Sequence, residues 1–303
     1  RKKFDEANVI IGMGYLQWFL LPFKYKKKYV NLSKAAIGKN INIPDPFYRK
    51  SMEFYKNTMD VIKTYLIVYA EKLEKAGIKV WSLGSPLGKI SIDSPREEHE
   101  NLLRKLLKLA DIFGTKRIRI FSYFVHREDY TKYRDEVIER MRALVKIADG
   151  YMLCHENESE IFGATVKNCE DIYDNVDGLY SVFDSSNFIQ WDEDIKEAYE
   201  KLIKRAYYIH VKDSRYDTKQ IVPVGYGDGM YDKILSGLDK DTTLTLEPHL
   251  FKFTGYSDID KKELNALFSY KDSNESFDAA VTALKTMLKN CGYIEGVNGT
   301  WTK

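Results

Sequence analysis

Short apolar runs alternate with amphipathic runs through the latter part of the chain, and this alternation restricts the fold more than any other feature. The clearest unit starts at Ser94, which precedes Pro95 and Glu97 in the pattern of a helix N-terminus. Leucines at helical spacing follow, Gly114 marks the end of the helix, and the strand-like run 117–122 comes next. Repetition of this unit predicts parallel strands joined by right-handed crossovers.

A closed barrel and an open doubly wound sheet both satisfy this pattern. The length of 303 residues, the number of units and the polar residues at the C-terminal tips of the strands favour a barrel. The chain also lacks a GxGxxG turn after a first strand. We therefore predict an α/β fold, a single (β/α)₈ TIM barrel over residues 1–303. The predicted strands are 8–11, 78–83, 117–122, 151–155, 179–184, 207–210 and 243–247.

The composition limits the function classes. With 47 basic and 45 acidic residues the net charge is +2, which argues against binding nucleic acid through bulk positive charge. The three cysteines are far apart and form no disulfide or zinc pattern. We see no signal peptide and no apolar run long enough to span a bilayer, so a cytoplasmic location without a membrane partner is the default expectation.

Four of the predicted strands end in a residue type that binds divalent cations. These residues are Glu156, Asp184, His210 and Glu247. Successive members lie 28, 26 and 37 positions apart, close to the roughly 30 residues per unit expected of such a barrel. A lone acidic residue at a strand end is more often a helix cap or a surface charge. Four such residues that recur at intervals of roughly 30 positions favour a common site.

The residue types favour a metal. Three crowded carboxylates repel one another, and a divalent cation relieves that repulsion. Oxygen ligands with one imidazole suit Mn²⁺, Mg²⁺, Co²⁺ or Zn²⁺, and the sequence does not choose among them. Four protein ligands leave two positions of an octahedral ion for substrate oxygens. We therefore predict one divalent metal ion and a small polyol or sugar substrate.

Several segments taken together resemble the xylose isomerase-like TIM-barrel superfamily, which includes sugar-phosphate isomerases and epimerases and the family 2 AP endonucleases. The segments are Ser82–Lys89, His155–Glu158, Phe183–Phe188, His210–Asp213, Pro223–Asp228 and Leu246–Leu250. The resemblance covers about residues 77–288 and leaves the first 75 poorly matched. It implies a divalent-metal-dependent sugar or sugar-phosphate isomerase or epimerase of carbohydrate metabolism.

The resemblance to the epimerase branch also implies roles for individual residues. All four strand-end residues would ligate one metal, and Glu156 and Glu247 would move protons on opposite faces of the substrate through an enediolate. Such a general acid–base pair must flank the carbon that changes configuration. The epimerases carry a histidine three residues after the metal aspartate. Asn187 stands there in this chain and can still donate a hydrogen bond to a substrate hydroxyl.

Four residues are predicted to bind substrate. They are Lys89, Asn187, Arg215 and His249. Lys89 follows a glycine-containing turn and Arg215 follows a strand end, and an ordinary surface role is the open alternative for both. His249 lies two positions after a predicted ligand, so the strand pleat directs both to one side. Lys212 and Asp213 are expected to pair with each other and support the metal-type histidine.

Three alternative functions remain open. An inosose (keto-inositol) dehydratase-type lyase would share the enediolate and then expel hydroxide. An AP endonuclease-like hydrolase is disfavoured, because its three zinc ions need many histidines and this chain has five. A non-catalytic sugar-binding barrel would use the metal only to hold a ligand. The sequence also leaves open whether the protein forms a homo-oligomer.

Overall fold

The computed structural model describes residues 8–12, 66–238, 241–251 and 270–303. The chain divides into two compact units, residues 1–85 with 106–117 and residues 86–105 with 118–303. In the first unit, strands β1 (Asn8–Gly12) and β2 (Lys79–Gly84) pair in parallel, and residues 66–75 are helical. Of the first 75 residues, which the family resemblance leaves poorly matched, the structure describes 8–12 and 66–75.

The second unit contains a sheet whose neighbouring strands follow chain order. The strands are β3 (Arg117–Ile120), β4 (Met152–Glu156), β5 (Tyr180–Asp184), β6 (Ala206–Val211) and β9 (Thr243–Leu246). The pairs β4–β5, β5–β6 and β6–β9 are parallel. Two shorter hairpins are antiparallel, β7 (Asp213–Ser214) with β8 (Ile221–Val222) and β10 (Ile294–Glu295) with β11 (Trp301–Thr302). The parallel strands therefore present their carboxyl ends at one edge.

Helices separate the strands. They are α1 (Arg96–Ile112), α2 (Tyr130–Ile147), α3 (Val166–Asn175), α4 (Ser185–Gln190), α5 (Ile195–Leu202), α6 (Tyr231–Ser236) and α7 (Ser273–Asn290). Thr165, Asp194 and Asp272 accept backbone N–H groups at the first turns of α3, α5 and α7, as helix N-caps do. Within the described part of the chain, no helix combines the length and the apolar character that a bilayer crossing requires.

The core of the second unit forms where the strands meet the helices. Phe183 of β5 and Ile209 of β6 are 1% and 0% exposed, and they pack in one cluster with Phe188 of α4 and Ile234 of α6. Burial of one such side chain contributes about 1.5–3 kcal/mol. The parallel register places Asp184 beside His210. Packing of the sheet therefore sets the spacing of the polar residues at its edge.

The predicted strands all fall on observed strands, with ends that differ by no more than two residues. Helix α4 was not predicted, because it begins directly after β5 with no intervening turn. Asp184 ends the strand and caps this helix, since its side chain accepts the N–H of Asn187. The usual signal of a separate loop between strand and helix is therefore absent at this point.

A buried histidine anchors the turn before Lys89. The N–H of Gly88 donates to Nε2 of His99 at 2.6 Å, and the Tyr123 hydroxyl lies 3.1 Å from its Nδ1. Gly88 has φ +92°, and a Cβ there would lie 2.0 Å from the carbonyl oxygen of Phe121, so only glycine fits. Burial lowers the pKa of His99 to about 4. The imidazole is therefore neutral at pH 7 and accepts the Gly88 hydrogen bond.

We expect His99→Gln to remove a pH-dependent part of the stability. The folded His99 has a lower pKa than the usual value of 6.5, so the unfolded chain binds a proton first as pH falls. The stability that depends on neutral His99 is present above about pH 6.5 and decreases towards pH 4, by on the order of 3 kcal/mol. Chemical denaturation near pH 7.5 and pH 4.5 measures this. The exposed His126→Gln serves as control, and an equal cost of His99→Gln at both pH values would contradict the expectation.

Candidate metal centre

The carboxyl ends of four strands bring the four metal-type residues together. Glu156 and Asp184 end β4 and β5, His210 lies near the end of β6, and Glu247 directly follows β9. One ligand atom from each residue lies within 4.8 Å of those of the other three. Glu156, Asp184 and His210 are buried, whereas the Glu247 side chain is 30% exposed. These four residues are called the cluster below.

His210 lies between the two glutamates. Its Nδ1 is 2.8 Å from Oε1 of Glu156 and 2.9 Å from Oε2 of Glu247. Burial disfavours the imidazolium, but the charges of the two carboxylates outweigh burial and raise the pKa of His210 to about 10. Burial likewise raises the pKa of Glu156, but His210 and Arg119 outweigh it and lower that pKa to about 2. Without a metal, the protonated ring holds the two glutamates together.

The donor set fits a divalent cation. Three carboxylates and one imidazole offer oxygen and nitrogen atoms close enough to share one ion. Burial and, to a smaller extent, the charges of Glu156 and Glu247 raise the pKa of Asp184 to about 6, although Lys212 and His210 oppose this, so a further positive charge beside Asp184 is favourable. A ligating imidazole is neutral, so a metal must displace the His210 proton and then takes over its electrostatic role.

Arg119 is a site residue that the sequence analysis missed. Its Nη1 lies 2.8 Å from Oε2 of Glu156 and 3.7 Å from Oε1 of Glu247. Ile118 and Ile120 are fully buried on one face of β3, so Arg119 points to the opposite face of the strand. An arginine between two isoleucines in a short strand is the signal that would have indicated this, because an arginine is rarely buried without a partner.

Lys212 supports the cluster from the Asp184 side. Its Nζ lies 3.0 Å from Oδ2 of Asp184 and 2.8 Å from Oδ1 of Asn187, and its side chain is 6% exposed. The expected pairing of Lys212 with Asp213 is wrong, because adjacent residues of an extended chain point to opposite faces. Asp213 instead accepts backbone N–H groups at 2.9, 3.1 and 2.9 Å from Gly225, Gly227 and Gly229.

Asn187 lies beneath the cluster with both ends of its amide occupied. The amide nitrogen donates to the carbonyl oxygen of Asn157 at 2.8 Å and lies 3.4 Å from Oε1 of Glu156. Its oxygen accepts from Lys212, and the residue is 4% exposed. A hydrogen bond to a substrate hydroxyl, as predicted for Asn187, would need one of these bonds to be exchanged.

Lys89 and His249 lie next to the cluster. Nζ of Lys89 is 2.9 Å from Oε2 of Glu158, whose pKa is lowered by the nearby lysines Lys89 and Lys212 although burial opposes this. Nε2 of His249 is 3.4 Å from Oε1 of Glu247, and its side chain is 46% exposed. Binding of substrate by Lys89 and His249 stays a prediction.

Arg215 is placed differently. Its guanidinium lies 3.2 and 3.3 Å from the two carboxylate oxygens of Asp217, and its side chain is 40% exposed. In the ranges that the structure describes, this side chain makes no contact with the cluster. A role of Arg215 in substrate binding stays a prediction.

We expect Lys212→Met to destabilise the metal-free protein by about 3 kcal/mol, because it leaves the buried Asp184 without its cation. Saturating Mn²⁺ should recover part of this loss by supplying positive charge to the same carboxylate. Denaturation with and without Mn²⁺ measures both effects. Lys201→Met is the matched control, since Lys201 pairs with Glu170 and Glu197 at the surface. A loss that Mn²⁺ does not change would argue against a metal at Asp184.

Solved structures of similar fold are distant in sequence. The IOLI protein with a bound zinc atom has a TM-score of 0.57 at 17% identity, covering 77% of this chain and 86% of that one. The probable 3-DHS dehydratase AsbF of Bacillus anthracis has a TM-score of 0.52 at 20% identity, covering 65% and 77%. L-ribulose 3-epimerase has a TM-score of 0.53 at 13% identity, covering 75% and 80%. At these identities the likeness concerns the fold alone.

The family is shown by sequence. No curated protein sequence matches the chain. The family model described as xylose isomerase-like TIM barrel, however, matches residues 43–261. This match confirms the fold class that the alternation of strands and helices predicted. Because it spans well over half of the 303 residues, the protein belongs to the xylose isomerase-like TIM-barrel family.

Proposed function

We propose that the protein is a divalent-metal-dependent isomerase or epimerase that acts on a sugar or sugar derivative by proton transfer through an enediolate. One observation carries this proposal: Glu156 and Glu247 approach the same imidazole, at 2.8 and 2.9 Å, from two strands separated by β5 and β6. The two carboxylates thus reach the same point of the site from two different strands. A carbon atom held between them can lose a proton to one and gain a proton from the other.

The cluster residues would hold the ion, and a bound divalent cation would polarise a substrate carbonyl and make the neighbouring C–H group more acidic. The IOLI protein, which shares the fold, was solved with a zinc atom. The two carboxyl groups differ in access, since the side chain of Glu247 is 30% exposed and that of Glu156 is 2% exposed. Glu247 is therefore the more accessible proton acceptor.

Arg119 and Lys212 would orient the carboxylates during this reaction. Arg119 lies close to both glutamates, and its guanidinium restricts the rotation of each. Lys212 contacts the carboxylate of Asp184 and the amide oxygen of Asn187, which lies beneath the cluster. Carboxylates held in position lose little orientational freedom when the proton is transferred, which is how preorganised sites lower a reaction barrier.

A lyase of the keto-inositol dehydratase type is the second candidate. It uses the same first proton transfer, after which a hydroxide leaves from the neighbouring carbon. The similar fold of the probable 3-DHS dehydratase AsbF supports this alternative. Loss of one water mass from the product distinguishes the lyase from an isomerase. A hydrolase that needs three zinc ions has less support, because His210 and His249 are the only histidines at the cluster among the described residues.

The test of the proposal is exchange of carbon-bound substrate protons with D₂O. With Mn²⁺, the protein should exchange such a proton in at least one member of a broad panel of ketoses, sugar acids and sugar phosphates. Glu156→Gln and Glu247→Gln should each lower the exchange rate by about 10²–10⁴-fold. The exposed Glu200→Gln is the matched control. Exchange that survives in both variants, or a metal-loaded protein that exchanges nothing, would refute the proposal.

Metal removal gives an independent test. Treatment with a chelator should abolish the exchange, and Mn²⁺, Co²⁺, Zn²⁺ or Mg²⁺ should restore it to different degrees, because each ion polarises a carbonyl differently. Metal analysis of the dialysed protein counts the ions per chain. Full activity of a protein with less than one ion per ten chains would show that the reaction does not depend on the metal.

A further inference from the structure

Three cationic side chains surround the cluster in the part of the chain that the structure describes. They are Arg119, Lys212 and Lys89. Each contacts a carboxylate, at 2.8, 3.0 and 2.9 Å respectively. The charged groups of Arg119 and Lys89 also lie over one aromatic ring, that of Phe121, at 4.8 and 4.4 Å from its centroid. These contacts hold the three positive charges close to the proposed metal position.

Four carboxylates act electrostatically on Lys212, three of them in the cluster and the fourth two residues from Glu156. They are Asp184, Glu247, Glu156 and Glu158. Three cations balance three of these negative charges, and His210 is neutral when it ligates a metal. The side chains therefore sum to a charge of about −1, and a divalent cation brings the total to about +1. Counted over these eight side chains, the metal-loaded site therefore carries one unbalanced positive charge.

Water screens this charge poorly. The side chains of Lys212 and Arg119 are 6% and 19% exposed, and those of Asp184 and Glu156 are 0% and 2% exposed. Charges in such surroundings are screened much less than exposed surface charges. An unbalanced buried charge is unfavourable unless a partner of opposite sign joins it. A neutral sugar brings no such partner, whereas a ligand with one negative charge restores neutrality.

We propose that the metal-loaded site selects a sugar derivative with a single negative charge, a sugar acid, over the corresponding neutral sugar. This inference rests on the metal-dependent function proposed above. A carboxylate carries one charge at neutral pH, which matches the surplus. A phosphate monoester carries nearly two and would leave the site negative. The favoured substrate class is therefore the sugar acids rather than the neutral ketoses or the sugar phosphates.

Binding of three five-carbon ligands to the Mn²⁺-loaded protein tests this. Xylonate, xylitol and xylitol 5-phosphate carry a carboxylate, no charge and a phosphate on similar polyol chains. In isothermal titration we expect the Kd of xylonate to be at least about 10-fold below that of xylitol, which corresponds to about 1.4 kcal/mol. Equal affinities of xylonate and xylitol, or tighter binding of the phosphate than of xylonate, would overturn the inference.

Xylonate could also bind more tightly because its carboxylate chelates the metal. Variants of Lys89 and Glu158, which lie outside the cluster, distinguish this from an effect of the net charge of the site. Lys89→Gln removes one positive charge and should lower the preference for xylonate over xylitol about 3- to 10-fold. Glu158→Gln removes one negative charge and should raise it by a similar factor. The double variant keeps the surplus and should return to the wild-type ratio. Lys201→Gln at the surface is the matched control.

If the wild type, both single variants and the double variant show the same preference for xylonate over xylitol, the surplus charge does not select the ligand. Titration of each protein with Mn²⁺ alone verifies that it still binds one ion. A wild-type protein that binds no Mn²⁺ contradicts the proposed function itself. A wild-type protein that binds Mn²⁺ but shows no preference for xylonate contradicts only the inference about the substrate class.

Discussion

The crowding of three buried carboxylates is the interaction on which the rest of the site depends. Glu156, Asp184 and Glu247 offer oxygen atoms to one small volume, and their mutual repulsion must be opposed. In the metal-free protein the opposing charges come from the chain itself, through His210, Arg119 and Lys212. The same cations that preserve the site without metal surround any ligand that enters it. If the ligand selection proposed above holds, stability and ligand preference depend on one set of ion pairs.

Parallel strand pairing brings residues that are distant along the chain close together in space. The register aligns Asp184 with His210, and the N–H of Glu247 donates to the carbonyl of Val211 at 3.2 Å. A slip of one residue in any of these strand pairings would turn a cluster side chain towards the opposite face of the sheet. The apolar core between the sheet and the helices resists such a slip, because a slip would also turn its buried side chains out of the core. The core therefore sets the geometry of the polar edge.

The sequence was informative where the signal is periodic. Strands were placed within two residues, and the recurrence of acidic and imidazole residues at strand ends identified four side chains that the structure brings together. The partners of those side chains were harder to predict, because they depend on which faces meet across strands. Arg119 and Lys212 were missed or misassigned for this reason. Asn187 was expected to meet substrate, yet its amide is occupied by Asn157 and Lys212.

Asp213 links the site to the glycine-containing loop that follows it 12 to 16 residues later in the chain. Its carboxylate holds the backbone of three glycines, and a Cβ at Gly227 would lie 2.3 Å from its Oδ1. A side chain at that position would push the carboxylate away. The same Cβ would lie 2.6 Å from the carbonyl oxygen of Ser214, so the backbone of β7, which directly follows Lys212, would have to shift as well. The absence of a side chain at Gly227 thereby helps to fix the backbone next to the lysine that holds Asp184.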